Sequence, residues 1–499
     1  MLDLLVIGGG INGAGIARDA AGRGLEVALC EQHDLAAHTS SASSKLIHGG
    51  LRYLEHREFR MVHKALAERE VLLRIAPHLV RPLHFVVPSQ PKLRPAWLLR
   101  AGLWLYDQLG ASSSTLPRSR RLPLQGHALG EPLQEDIREG FTYADAQVPD
   151  ARLVVLNALD AAERGAQIWT RTHCAQAWRE ADAWRVELVN ADGTTRTVQA
   201  RMLVNATGPW AGRFGEDISM TRSHRLRLVQ GSHIVVPALF DHDHAYLLQQ
   251  ADGRIVFVIP FEDRFTLIGT TDVDFDADPA AAAIDDAQCD YLCAAVNHSF
   301  KRQISRHDVV WSFSGVRPLL DDADAVASHV SRDYQLELDL QGAPLLTVLG
   351  GKLTTYRQLA EEAVNLVVRT RGGSAAAWTR TGPPLPGGDL GVPAHVQATL
   401  LAASPWLPSD LAARWARSYG SRAAHIIGAA TSLQDLGEHF GADLYQAEVD
   451  YLCAAEWVQL ADDLLWRRSK LGLSLDAAQQ QHLARWLHVR LRTANAESA

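Results

Sequence analysis

The apolar and polar positions of this chain fall into a few separate units. Leu4 to Ile7 is a short aliphatic run, suited to a strand buried on both faces. Gly8, Gly10 and Gly13 follow in the order G-x-G-x-x-G, and the segment after them reads as a helix. Leu25 to Cys30 is a second strand, ended by Glu31. Two more strand–turn units lie far downstream. Met202 to Ala206 runs into the turn Thr207-Gly208-Pro209. Leu345 to Leu349 runs into Gly350-Gly351 and then a helix, which Thr354 or Thr355 is placed to cap.

Between these units, "GSHIVVPALF" and "RIVFVIPFEDRFTLIGTTD" are rich in β-branched and aromatic residues and predict a separate antiparallel sheet. "TGPPLPGGDLGVP", Thr381 to Pro393, is a Pro/Gly linker. From Ala394 onward, Ala, Leu, Trp and Arg recur at helical spacing. The pattern predicts an α/β chain, α+β overall. Its discontinuous Rossmann-like nucleotide-binding domain takes residues 1–80, 145–222 and 310–380. An antiparallel-sheet substrate domain takes residues 81–144 and 223–309, and a C-terminal helical domain takes 394–499 after the linker 381–393.

A length of 499 residues leaves room for about three domains. Hydrophobic residues make up 47% and charged residues 21%, a globular balance with a large core. The net charge of −8 argues against a nucleic-acid partner, whose binding face needs clustered positive charge. Cys30, Cys174, Cys289, Cys293 and Cys453 form no CxxC pair, and their odd number points to reduced thiols in a cytoplasmic setting. There is no HExxH, and "DHDH" at Asp241 to His244 reads as a loop, so no metal is expected. The first strand starts too early for a signal peptide. No stretch reaches the roughly 18 uncharged apolar residues of a spanning helix.

Chemistry begins at the glycines. The first permits a tight turn, the second lets backbone approach a pyrophosphate, and the third lets the helix pack on the strand. Helix N–H groups then point at the phosphates. Glu31 is placed to accept from a ribose hydroxyl, and no Arg follows it, which disfavours a 2′-phosphate. The motif by itself does not separate FAD from NAD. Beyond it lies "TSSASSKLIHGGLRYLEH", Thr39 to His56, in which small hydroxyls precede several cations. A chain leaving the carboxyl end of that strand stays beside the ligand crevice.

These segments, with "LVNATGPWA", "GSHIVVP", "IGTTD", "SGVRPL" and "GGKLTTYR", resemble the FAD-dependent, membrane-associated glycerol-3-phosphate dehydrogenases of aerobic bacteria. They occur in that family's order from Ile7 to Arg357, and "ADDLLWRRSKLGL" resembles the family's C-terminal helical domain. The resemblance implies FAD as cofactor. Expected contacts in the first unit are Gly8, Gly10, Gly13 and Glu31. In the serine-rich loop they are Ser40, Ser41, Ser44, Lys45, His48 and Gly49. The later turns contribute Ala206 and Gly208, then Gly351, Leu353 and Thr354.

The implied substrate, glycerol 3-phosphate, carries nearly two negative charges and calls for Arg or Lys. Arg52, Arg317, Arg332 and Lys352 are the candidates, with Tyr53 presented beside Arg52. Oxidising its secondary alcohol requires a general base for the C2 hydroxyl proton while the hydride goes to flavin. His233 is the first choice and His48 the competitor, whose place beside Gly49 suggests a flavin contact. Arg317 is expected to polarise the C2 oxygen.

Pro91 to Gly110 is apolar, with Trp97, Trp104 and Tyr106 among Lys92, Arg94 and Arg100. Such a segment suits the membrane headgroup region, or else a buried helix between domains. The resemblance adds a membrane quinone as electron acceptor and a peripheral place on the cytoplasmic face of the inner membrane. A glycerol-3-phosphate oxidase, which reduces oxygen to hydrogen peroxide, shares the fold, cofactor and substrate site. An NAD-dependent dehydrogenase and a noncatalytic nucleotide sensor are more distant alternatives. The oligomeric state stays open, a homodimer included.

Overall fold

The computed structural model describes residues 1–55, 57–90, 93–110, 114–217, 226–320 and 333–498, with no side chain described for residue 52, 215–217 or 494–498. Two sheets organise the first three quarters of the chain. The first has the order Gln335–Asp339, Leu345–Leu349, Thr195–Asn205, Leu2–Ile7, Val27–Cys30, Gln167–Trp169. All of these pair in parallel except the edge strand Gln335–Asp339. Alternation along Leu4–Ile7 explains why that run is aliphatic throughout. Leu4 and Val6 join a core with the helices Ile11–Gly22, Asp150–Glu163 and Tyr356–Thr370. Leu5 and Ile7 face the opposite way, into a core with Trp184, Val186 and Leu188 from a β-meander. The second strand is shorter than its hydrophobic run: Leu25 and Glu26 precede it.

The second sheet has the order Val273–Asp274, Leu226–Pro237, Phe265–Gly269, Ile255–Phe261, Ala245–Gln249, Arg81–Pro88, Glu139–Gln147, Leu46–Ile47. It is antiparallel except for one pair, Ala245–Gln249 with Arg81–Pro88. Trp311–Leu320, expected among the nucleotide-binding pieces, also belongs here. It pairs with Leu226–Pro237 over ten residues, setting Arg317 opposite Val229 and Phe313 opposite His233. Local patterning makes this segment a strand but does not say which sheet it joins. One face of the sheet packs on the helices Phe59–Ile75 and Ala96–Gly110. The other packs on Asp286–Ser299 through Leu292 and Val296, and on Phe300 just beyond it.

After residue 393 the described chain is mostly helical, with the small hairpin His439–Gly441/Leu444–Tyr445. Trp415 and Tyr419 fill its centre and donate to the buried Glu448 carboxylate at 2.9 and 2.6 Å. The linker is seated on the first body: Leu385 is buried, and its N–H donates to the Ile75 carbonyl at 2.7 Å.

At this junction His78 is fully buried, and neither ring nitrogen has a hydrogen-bond partner among the described residues. Burial first, and the nearby Arg152 charge second, push its pKa down from 6.5 to about 3. Its folded-state pKa is therefore below the unfolded value, so the unfolded chain binds the extra proton and stability falls as pH drops from about 6.5 towards 3. We expect His78→Leu to remove about 2 kcal/mol of the stability lost between about pH 7 and 5. Denaturant unfolding at both pH values checks this; an unchanged difference would clear His78 of the effect.

Candidate functional site

A cleft of about 740 Å³ receives residues from both sheets, within the range of ligand pockets. Its first wall is the turn after Leu2–Ile7. Gly13 lets the helix start close against that turn, because a Cβ there would lie 1.9 Å from the Gly8 carbonyl oxygen. The helix Ile11–Gly22 has no acid in its first turn, and Ile11 N–H donates to Ser40 Oγ at 3.0 Å. Glu31 lines the cleft at the end of its strand. Its Oε2 accepts from Gly9 N–H at 2.7 Å and its Oε1 from His33 N–H at 2.8 Å. Burial nonetheless raises its pKa above the ordinary carboxylate value.

The serine-rich loop divides its labour. Ser40, Ser43 and Ser44 line the cleft, whereas Ser41 and Lys45 do not. Ser41 Oγ donates to the His38 carbonyl at 3.1 Å. Lys45 is buried, with Nζ 2.8 Å from Asp150 Oδ1 and 2.9 Å from the Ser41 carbonyl. Asp150 also accepts from Ser43 N–H and Oγ. Lys45 and Asp150 thus pin the loop from behind, and Lys45 stands outside the cleft lining. Gly49 stands outside it too. Its N–H donates to Tyr106 Oη at 2.8 Å, and a Cβ would lie 2.6 Å from that oxygen, so the close neighbour of this glycine is a tyrosine. The Tyr106 hydroxyl in turn donates to Asp145, which Arg69 holds at 2.8 Å.

Ala206 and Gly208 reach the cleft from the second turn, and Gly351, Leu353 and Thr354 from the third. Gly351 has φ +107°, with Asn12 packed where a side chain would go. Neither threonine caps the following helix through its side chain. A short 3₁₀ turn, Leu353–Thr355, comes first, and Thr354 Oγ1 instead accepts from His48 N–H at 3.2 Å.

His48, Tyr53, Phe257, Thr270, Arg317 and Lys352 form the end of the cleft beside the second sheet. Arg317 donates from Nη1 to Asp272 Oδ1 and from Nη2 to Thr270 Oγ1 at 3.3 Å. Lys352 Nζ stands 3.8 Å over the Tyr53 ring and 2.8 Å from Met61 Sδ. His48 meets the Phe257 ring edge-on at 6.1 Å. Arg52 is placed by the 3₁₀ turn Leu51–Leu54, but its side chain lies outside the described residues, as does Arg332 altogether.

His233 is 1% exposed and is not part of the cleft lining. Its Nε2 meets Ser44 Oγ at 2.9 Å, and its ring stacks on Phe313 at 4.8 Å. Burial, reinforced by Arg317 and Lys45, drives its pKa well below 6.5, so the imidazole is neutral. Its hydrogen bond to Ser44 links it to the cleft. Sequence reasoning passed over Asp150, Thr270, Asp272 and Phe257. Thr270 and Asp272 sat in the quoted "IGTTD" segment, whereas Asp150 and Phe257 carried no local signal.

The donor set fits FAD: a glycine turn feeding an acid-free helix start, an acceptor at the ribose position and a second N-terminal turn at Gly351–Thr354. Residues 3–357 match the FAD-dependent oxidoreductase family, and residues 379–489 match the C-terminal domain of alpha-glycerophosphate oxidase. The glycerol-3-phosphate dehydrogenase of Pseudomonas aeruginosa is 54% identical, covering 97% of this chain and 94% of that one. The aerobic glycerol-3-phosphate dehydrogenase of Escherichia coli is 50% identical, with 97% of each chain covered. A D-erythritol 1-phosphate dehydrogenase of Brucella abortus is 48% identical over the same shares. Among solved structures, the glycerol-3-phosphate dehydrogenase of Bacillus halodurans complexed with FAD superposes with a TM-score of 0.80 at 27% identity, covering 98% of this chain and 90% of that one. The chain belongs to the family of FAD-dependent glycerol-3-phosphate dehydrogenases.

Proposed function

We propose that this protein oxidises sn-glycerol 3-phosphate to dihydroxyacetone phosphate and passes the electrons to a membrane quinone. The observation that carries the reading is one cleft with a dinucleotide-binding turn at one end and His48, Arg317 and Lys352 at the other. Lys352, with Arg52, binds the phosphate, whose charge needs cations that stay fixed through the reaction. Arg317 orients the C2 oxygen and stabilises the charge that grows there as the ketone forms. Asp272 and Thr270 hold its guanidinium in place. His48 takes the hydroxyl proton, because it lines the cleft and His233 does not. His233 positions Ser44 instead. When bound, the flavin supplies the two-electron acceptor for the hydride leaving C2. Glu31 holds the ribose diol.

Attachment to the membrane is peripheral in this reading. Among the described residues no helix is long and apolar enough to cross a membrane. The helix Ala96–Gly110 buries Leu99, Leu103 and Tyr106, and turns Trp97 and Trp104 outward at 70% and 61% exposure. An exposed pair of tryptophans beside Arg100 suits a headgroup layer on the cytoplasmic face of the inner membrane.

Anaerobic titration of the purified holoprotein tests the activity. Glycerol 3-phosphate should bleach the flavin, and a quinone analogue should restore the colour. Stoichiometric peroxide formed in air without added acceptor would make the protein an oxidase. Faster bleaching by D-erythritol 1-phosphate would move the substrate to a four-carbon polyol phosphate. No bleaching by either would overturn the reading.

A further inference from the structure

The segment Asp463–Arg468 of the C-terminal domain forms a single π-helical turn and contributes nothing to the cleft lining. Its two arginines instead converge on one carboxylate of the nucleotide-binding body. Arg468 donates from Nη1 and Nη2 to the two oxygens of Asp34 at 2.6 and 2.7 Å. Arg467 adds Nε at 2.6 Å. Asp34 and Arg468 are both buried. From Arg467 the chain of charges continues to Asp463 at 2.5 Å. Asp463 then takes Nη2 of Arg171 on both oxygens, at 2.9 and 2.8 Å.

The two residues that this chain grips in the nucleotide-binding body are revealing. Asp34 stands three residues beyond Glu31, in the loop whose Gln32, His33 and Ala36 line the cleft. Arg171 directly precedes Thr172, His173 and Cys174, which line the same end. The two loops are stitched to one another by Arg171 N–H donating to the His33 carbonyl at 2.7 Å. Buried ion pairs add little net stability, because desolvation offsets their attraction, but they fix one geometry firmly.

We propose that the C-terminal helical domain is a positioning device for the cofactor: the chain Arg468–Asp34–Arg467–Asp463–Arg171 holds both loops in their FAD-competent form, so this contact, rather than docking of the domain in general, sets how long FAD stays bound. None of these residues lines the cleft, so they act through Gln32–Ala36 and Thr172–Cys174. Coupling of this kind is reciprocal: what the domain does for FAD, FAD does for the docking of the domain.

The test follows FAD release from the full-length holoprotein, read as the recovery of free-flavin fluorescence. Asp34→Asn and Arg468→Met should each release FAD about tenfold faster, within the usual range of coupling between sites. Arg468→Lys should recover part of the difference, since it keeps a charge but loses the fork. Arg422→Met breaks a different contact of the same domain, with Glu163, and should leave release unchanged. Wild-type release rates in Asp34→Asn, or equally fast release in Arg422→Met, would overturn the proposal. A second measurement needs no variant. In the wild-type chain, removing FAD should speed hydrogen exchange in residues 459–470, and identical exchange with and without FAD would sink the idea.

Discussion

His48→Asn and Arg317→Lys each slow flavin reduction at saturating glycerol 3-phosphate by about 10²-fold or more, the cost of losing a general base or one preorganised donor. The two losses have different causes. His48 reaches the cleft from a loop whose backbone Thr354 fixes, so asparagine there keeps the size and removes the proton acceptor. Arg317 uses one arm of its guanidinium on Asp272 and another on Thr270. A lysine keeps the charge but cannot span both partners and still face the C2 oxygen. In the proposed roles both contacts strengthen as the alcohol loses its proton, so their loss should appear in kcat more than in KM. Lys352, a phosphate ligand in this reading, belongs to the other class, in which binding weakens and the limiting rate survives. Anaerobic stopped-flow reduction across substrate concentrations separates the cases. A normal limiting rate in His48→Asn would return the base to His233, acting across Ser44.

Replacing Trp97, Leu98, Trp104 and Leu105 with serine should detach the protein from anionic vesicles while leaving flavin reduction intact. Trp97, Leu98 and Trp104 are exposed, whereas Leu99, Leu103 and Tyr106 on the opposite side of the helix hold it to the second sheet. Burying one large apolar side chain is worth about 1.5–3 kcal/mol, so losing several should weaken binding far more than tenfold. Arg100 stays exposed to meet anionic headgroups, but Arg94 is engaged by Glu55 and Gln249. Lys92 lies outside the described residues. Sedimentation with vesicles reads the bound fraction. A folded quadruple variant that still sediments would show that another surface carries the attachment.

The sequence by itself determined the features that are local. Strand Leu345–Leu349 came out with its predicted ends, because an aliphatic run bounded by Pro344 and a Gly-Gly turn leaves little choice. The nucleotide turn was legible for the same reason: Gly8 and Gly13 meet steric demands that only glycine satisfies. The helix Ala96–Gly110 was legible only as two alternatives; the fold packs one of its faces and leaves the other exposed.

Only the tertiary structure decided which polar groups reach the cleft. Lys45 and Lys352 look alike in sequence, as do His48 and His233. Whether each faces ligand or protein depends on partners more than a hundred residues away: Asp150 for Lys45, Ser44 for His233. The same holds for Trp311–Leu320, whose sheet was chosen by pairing with Leu226–Pro237. It holds again for Asp34, an ordinary loop acid until Arg467 and Arg468 close on it from the far end of the chain. Strand and turn propensities act over a few residues, whereas the cost of burying a charge is set by whatever the fold brings beside it.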